Sequence, residues 1–501
     1  MQDAERIAII GGGIAGLSAG IYARLNGFHP VIFEAQGRLG GVCASWERTG
    51  YTVNGSFHWL VGSAPGSDLH EMWRQLGVVQ DAAFLVQDSF AIWHDLAGAT
   101  LRFPSRADAL EAEWLALSPD DAEPIRDLSA GIRAFAEAEL PMKRAFELMG
   151  PLDWGGFLLR NLPFVRALLH WRSVTLGDFA ARFRHAGLRE GLASLWDPGM
   201  SMAFLLMQMG HAHKESAGYL LGGSGGFVAR LARRYAALGG EVRSSARVLR
   251  IVTERGAAVG VETADGAIHD AAFVVAACDG HTLTERLLRP EEVSPALLDA
   301  FSVLRPFPAI AFFSAGVRDR FAGLPASVMG HNMPLAEPLD VAGRVLSRIS
   351  VQVHHHDPHL APPGATLLTA MLPSGFEPWQ ALAAQGGEAY AAEKARIVAA
   401  VLAALERWRP GLGDTFDFAD LATPLTFERW TGNHRGSYEG WLPTPEAQAM
   451  TVPVHMDEVR RLYLAGHWVA PGGGMPPAAF TGRNAIQMIC RDTNRAFSTG
   501  G

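Results

Sequence analysis

Residues 6–25 read RIAIIGGGIAGLSAGIYARL: a short apolar run, a cluster of glycines, then small and apolar residues at helical spacing. Arg6 to Ile10 predicts a parallel strand buried on both faces. Gly11 permits a tight turn, Gly13 lets backbone approach a pyrophosphate, and Gly16 lets the following helix pack close to the strand. That helix, expected over Leu17–Leu25, would offer its unpaired N–H groups to phosphates. Val31–Glu34 predicts a second strand ending in an acid about 20 residues beyond the glycines, where a carboxylate accepts hydrogen bonds from an adenosine ribose. A lone glycine triplet would say little. Strand, glycines, helix, strand and acid in this order predict a dinucleotide site.

Bulk properties frame that reading. The chain of 501 residues is long enough for two domains, and 49% hydrophobic against 19% charged residues supplies a large core. The net charge of −8, with Lys143, Lys214 and Lys394 as the only lysines, leaves no basic block, which argues against a nucleic-acid partner. Cys43, Cys278 and Cys490 lie far apart, as expected of small buried hydrophobes rather than disulfides or a thiolate metal site. The polar start MQDAER and the lack of an apolar run of ~20 residues predict a cytoplasmic protein.

The stretch Glu34-Ala35-Gln-Gly-Arg38-Leu-Gly40-Gly41-Val42 extends the site. Gly40 and Gly41 allow a second close backbone approach, and Arg38 adds a cation beside phosphates. This stretch resembles the E-x-x-x-R-x-G-G extension of flavoproteins of the amine oxidase and phytoene desaturase superfamily. That resemblance implies FAD, with the arginine and glycines lining its diphosphate and ribityl region. Two further segments are similar to the family. One runs from Gly222-Gly-Ser-Gly-Gly226 through a helix (Val228–Leu238) to strands near 241–243, 247–253, 258–263 and 273–277. There Val248 falls where the family's backbone brackets the adenine. The cluster 222–226 is not followed by a strand ending in an acid, so one dinucleotide site is expected. The other segment is a strand ending at Gly466, then His467, a glycine run, Met475-Pro476-Pro477 and a helix from about Ala478 to Cys490. It resembles the family's closing flavin motif, whose helix points its N-terminus at the isoalloxazine.

GSFHWLVG (55–62), DPHLAPPG (357–364), TPLTFERWTGNHRGSYEGW (423–441) and AGHWVAPGGGMPPAAFTGRNA (465–485) look like the phytoene desaturase, carotenoid isomerase and retinol saturase group. The amine oxidase branch usually has a glutamate where His467 stands and a lysine by the flavin. Here Lys394 falls on an expected surface helix (388–408), and only Lys214 is a candidate. The resemblance implies oxidation, reduction or isomerisation of carbon–carbon double bonds in a lipophilic substrate, polyisoprenoid or long-chain acyl, inside an apolar tunnel. Trp196, Met200, Met202, Phe204, Met207 and Met209 suit such a tunnel, or ordinary core packing. Residues 154–171 suit either a buried helix pair joined at Pro163 or a peripheral contact with the inner membrane face. An amine oxidase, a non-enzymatic flavoprotein and an NAD(P)-dependent reductase are the competing readings.

The expected fold is α/β: a discontinuous Rossmann-type FAD-binding domain (1–95, 219–285 and 441–501) with an α+β substrate domain (96–218 and 286–440). The latter should carry a sheet around 305–315, 345–354 and 366–372, with helices on one side. The cofactor-binding set is Gly11, Gly13, Gly16, Glu34, Ala35, Arg38, Gly40, Gly41, Val42, Val248, Gly466, Met475 and Pro476. His58 and His467 are the candidate acid–base residues. His354-His355-His356-Asp357 could suggest a metal, but the following Pro358 and Pro362-Pro363-Gly364 mark a turn, so no metal is expected.

Overall fold

The computed structural model describes residues 5–56 and 58–500; Phe57 of the 55–62 motif, residues 1–4 and Gly501 lie outside them. Five strands, β1 (Arg6–Ile10), β2 (His29–Phe33), β3 (Glu241–Arg243), β4 (Phe273–Ala276) and β5 (Leu462–Leu464), form a parallel sheet. Their order is β3-β2-β1-β4-β5, so a Rossmann-type sheet is assembled from three separated parts of the chain. β1 is buried from Ile7 to Ile10 because helices cover one face of the sheet and the antiparallel strands Val248–Glu254 and Ala257–Thr263 pack on the other.

Three helices set the geometry: α1 (Ile14–Leu25), α2 (Gly223–Ala237) and α3 (Met475–Asp492). A Cβ at Gly16 would run into the Gly11 carbonyl oxygen, so α1 lies directly on the turn that precedes it. A Cβ at Gly482 would likewise meet the Ala15 carbonyl, which lets α3 cross α1 with backbones nearly touching. Ser18 Oγ donates to the Ala479 carbonyl at 2.6 Å across the same crossing. On the other side, the Tyr235 ring of α2 fills the notch at Gly20, and its hydroxyl donates to the carbonyls of Pro30 and Glu241.

The glycines 222–226 form the start of α2 rather than a loop before it. Their smallness serves packing: Gly223 abuts Asn54, Gly225 abuts Ser45, and Ser224 Oγ donates to Asn54 Oδ1 at 2.7 Å. They seat α2 on the hairpin formed by Ser45–Arg48 and Tyr51–Asn54.

The second sheet has seven strands, in the order 416–422, 310–317, 366–373, 345–353, 331–340, 89–94 and 100–104. Its pairing is antiparallel except for His331–Asn332 beside Ile92–Trp93. Along Ile310–Val317 the residues alternate as the pleat requires. Phe313 and Ala315 pack with Ile397, Val401 and Leu405 of helix Gly387–Trp408, whereas Ile310 and Phe312 face the other way. The first strand begins five residues later than expected from the 305–315 run, because Pro306 and Pro308 precede it. The border drawn between 95 and 96 falls within the turn of hairpin 89–104, which continues this sheet.

A helical layer fills 107–213 around Trp114, Ile132, Phe135, Phe164 and Trp171. Residues 151–171 form two helices, Pro151–Arg160 and Leu162–Trp171, with Pro163 in the first turn of the second. The pair is not buried: only Phe164 and Trp171 are, while Leu152 is 92% and Leu159 83% exposed. Among the described residues no helix is long and apolar enough to cross a membrane.

Because the Gly16 contact is backbone against backbone, a side chain there cannot be absorbed by a rotamer change. Gly16→Ala should lower stability by about 3 kcal/mol in chemical denaturation. A Gly→Ala change at exposed Gly387, where a Cβ meets nothing and φ is not positive, would show a much smaller loss.

Candidate functional site

A single cavity of about 2400 Å³ runs from the carboxyl ends of β1, β2 and β4 into the space between the seven-stranded sheet and the helical layer. This is more than twice the ~1,000 Å³ upper range for a pocket holding one drug-sized ligand. It has room for two occupants.

The sheet end is built from glycine loops. Gly11 has φ +103°, and its Cβ position would lie 2.7 Å from the Ala277 carbonyl oxygen. Gly40 N–H donates to the Gly12 carbonyl at 3.0 Å, and Gly41 stands against Gly13 Cα. The two loops therefore support each other, with Gly13 left facing open space: its nearest would-be neighbours are 3.8 Å away or more. Glu34 is buried at the end of β2, and its carboxylate accepts from the Gly12 and Gln36 N–H groups, both at 2.8 Å. Arg38 donates to the Ser45 carbonyl at 2.9 Å and lies over the Trp430 ring. The first turn of α1 follows Gly13 and that of α3 follows Gly474; neither has a side-chain cap, and both line the cavity. Their free N–H groups favour anionic groups there.

Of the expected cofactor residues, Gly11, Gly13, Glu34, Ala35, Arg38, Gly40, Gly41, Val42, Val248, Gly466, Met475 and Pro476 all line this one cavity. Gly16 does not; it acts through packing. The set fits FAD: Gly13 leaves a cradle a Cβ would fill, two uncapped helix ends suit negative groups, and an immobilised carboxylate stands at a ribose distance along β2.

The other half of the cavity has a large apolar wall, interrupted by polar residues such as Asp197, Asn332 and Arg348. Trp59, Phe90, Trp196, Met200, Phe204, Met207, Phe307 and Met371 line it. Helix Met202–His213 divides by turn spacing. Phe204, Met207, Gln208 and His211 face the cavity, and Met202, Leu205, Leu206 and Met209 enter the helical core. The methionine-rich segment thus serves both ends that its sequence suggested.

His58 and His467 both line the cavity. Burial pushes each down to about 4, so both are neutral at pH 7. Gln352 Nε2 lies 2.8 Å from His58 Nδ1, a pairing that places the His58 proton on Nε2. Lys214 pairs with exposed Glu137 away from the cavity, and Lys143 is exposed. Lys394 touches the cavity wall but is tied to Asp420 at 3.1 Å. In the histidine run, Asp357 accepts from Tyr219 and Gly222, and His354 Nε2 lies 2.9 Å from Thr369 Oγ1. Among the described residues no three His, Cys, Asp or Glu side chains are grouped to hold a metal ion. Cys490 sits in the core under the parallel sheet, Cys43 belongs to that core and also borders the cavity, and Cys278 lines the cavity.

Glu439 was not singled out by the sequence. It lines the cavity beside the glycine run 472–474, and burial pushes its carboxyl up to about 8. A helix N-terminus opposes this by about 1 kcal/mol, roughly the cost of one pKa step, which leaves the direction upward. The signal available was the motif itself: a lone acid among Gly436, Tyr438, Gly440 and Trp441.

The family model described as flavin containing amine oxidoreductase matches residues 14–490. Prolycopene isomerase of Arabidopsis thaliana is 23% identical over 503 residues, covering 97% of this chain and 82% of that protein. The neurosporene-forming phytoene desaturase of Cereibacter sphaeroides is 27% identical over 510 residues, covering 95% and 92%. Among solved structures, putrescine oxidase bound to putrescine superposes with a TM-score of 0.61 at 17% identity, over 97% of this chain and 99% of that one. Cyclohexylamine oxidase of Brevibacterium oxydans gives 0.59 at 15%, over 98% and 100%. These structural likenesses speak for the fold.

Gly13→Val should leave the melting temperature of the cofactor-free chain unchanged and lower the FAD-to-protein ratio at least tenfold, read from the visible absorbance. Acid should destabilise the protein through its buried histidines. His58, His211, His281, His356 and His467 are held down to about 4, and His331 to about 3, by burial. Between pH 6.5 and 4 the unfolded chain therefore binds protons that the folded chain does not. Stability to urea should fall steadily from pH 6.5 towards 4, and should also fall by a smaller slope from pH 7 to 8, where folded Glu439 keeps a proton that the unfolded chain has lost.

Proposed function

Given that this chain belongs to the flavin-containing amine oxidoreductase family and is an FAD-dependent oxidoreductase, we propose that it desaturates, saturates or isomerises carbon–carbon double bonds of a long lipophilic substrate, polyisoprenoid or acyl. The observation that carries this reading is the continuity of the cavity. The glycine loops open without interruption into a chamber walled by Trp59, Phe90, Trp196, Phe204, Met207 and Phe307. Such walls bind an extended apolar chain by burial and exclude water from it. The names of the relatives, prolycopene isomerase and phytoene desaturase, support the same substrate class.

Bound FAD would supply hydride transfer; the chain supplies position and electrostatics. Gly11, Gly13, Gly40, Gly41 and the start of α1 would hold the diphosphate, with Arg38 beside it. Glu34, fixed by two N–H groups, would receive the ribose, and Val248 would flank the adenine. Gly466, Met475 and Pro476 would meet the ring system, where the α3 N-terminus favours negative charge. His58 and His467, both neutral, would stand at that end as groups able to hold or pass a proton; His58 is itself held by Gln352.

The exposed helix pair supports a peripheral membrane contact. Leu152, Leu158, Leu159, Leu162 and Leu169 are exposed there, with Arg160, Arg166 and Arg172 exposed among them. Leucines dip into a bilayer interface and arginines meet lipid phosphates.

Anaerobic addition of a total lipid extract from the source cells should bleach the visible flavin band, with a product lighter by two hydrogens; the pre-reduced protein should instead be reoxidised if the flow is reversed. A lipid panel without effect in either direction, joined by peroxide release on amine addition, would replace this reading with amine oxidation. Leu159→Glu should at least halve co-sedimentation with vesicles containing anionic lipid and leave the FAD content unchanged.

A further inference from the structure

Glu439 occupies a place built around it. Gly473, with φ +54°, has no room for a Cβ because the Glu439 carbonyl oxygen stands there. A Cβ at Gly474, with φ +85°, would lie 3.3 Å from Glu439 Oε1. A Cβ at Gly440, with φ +76°, would lie 2.6 Å from the His467 carbonyl oxygen. Gly473 and Gly474 therefore abut the Glu439 side chain at the start of α3, and Gly440 lets the adjacent backbone lie against His467, with Glu439 lining the cavity. Among the described residues no ion pair or hydrogen bond engages its carboxyl. A partly buried acid that faces the cavity without a structural partner has no packing task that glutamine or methionine would not perform at lower cost.

We propose that Glu439 is the proton-exchanging residue of the carbon–carbon chemistry: its carboxylic acid gives a proton to one carbon of the double bond while the neighbouring carbon takes hydride from reduced FAD. In that direction the double bond becomes a single bond, FAD is left oxidised and Glu439 is left as carboxylate. In the desaturating direction the carboxylate removes the proton as the adjacent C–H gives its hydride to oxidised FAD. The assignment rests on the reading of the cavity given above. It adds the group that balances the proton, and its resting state. Held up to about 8, the acid is protonated at neutral pH, the state needed for donation.

Other titratable groups near Glu439 stay silent between pH 6 and 10. His467, across Gly440, is held down to about 4, and the adjacent Tyr438 phenol is pushed well above its ordinary value by burial and by Glu439 and Asp197. Asp279, elsewhere in the cavity wall, is also raised by burial, but it accepts from the Thr282 and His434 N–H groups. Substitution separates the two acids.

The test uses the FAD-loaded protein without substrate, so its outcome is independent of which lipid, if any, bleaches the flavin. The visible spectrum of the oxidised protein is titrated from pH 6 to 10, and protons taken up on dithionite reduction are counted with a pH indicator. The wild type should show a spectral transition near pH 8 and, above it, one more proton taken up per two electrons than E439Q. The transition should vanish in E439Q and survive, at a shifted midpoint, in E439D. An unchanged titration in E439Q that still binds FAD overturns the proposal. Should E439Q fail to hold FAD, the wild type alone decides: no transition between pH 6 and 10 overturns it too.

Discussion

Helices α1 and α3 meet where Gly482 lies against the Ala15 carbonyl, and α1 in turn rests on the turn at Gly11 through Gly16. Two helix backbones this close leave no space for any side chain, so the relative position of the N-terminal and C-terminal glycine loops is fixed to within a fraction of an ångström. The cavity depends on that contact. Gly13 and Gly474, the residues from which the two uncapped helices start, come from opposite ends of the chain and share one space because α1 and α3 cross there. Separating the helices by one methyl group would widen the cradle and tilt both sets of N–H groups away from a shared ligand.

The readable parts of this fold were those with local causes. A continuous apolar strand, a glycine turn and an acid at the end of the next strand each act within a few residues, and β1, α1 and β2 stand where that pattern put them. Strand His331–Asp340 escaped because Pro334 and Pro338 break its pattern; the sheet accommodates them at an irregular register between Pro334 and Leu339. The exposure of Leu152 and Leu159 could not be read either, since hydrophobic spacing shows that a helix has an apolar face and not what covers it. The site divides the same way. The loop residues were legible from spacing, whereas Glu439 gained its character from Gly473, Gly474 and His467, none of them near it in sequence except through the fold.

The two halves of the cavity differ in what they stabilise. Backbone N–H groups and Arg38 make the sheet end favourable to anions, and aromatic and methionine side chains make the other end favourable to hydrocarbon. Neutral His58 and His467 stand in the same enclosure as the raised carboxyl of Glu439. Their neutrality has a common cause: burial away from bulk water makes a charge on each of these three groups expensive.

The order of the parallel sheet has a consequence for biosynthesis. β4 pairs with β5, and Ser18 bonds to Ala479, 461 residues further along the chain. While the ribosome is still making the middle of the protein, the glycine loop of β1 and α1 already exists, yet its opposite wall does not. A nascent chain of 450 residues would expose one edge of a parallel sheet and the apolar lining of a large open chamber. Contacts that span nearly the whole sequence also form slowly. Cofactor capture thus has to wait until α3, made more than 440 residues after α1, has closed the opposite wall.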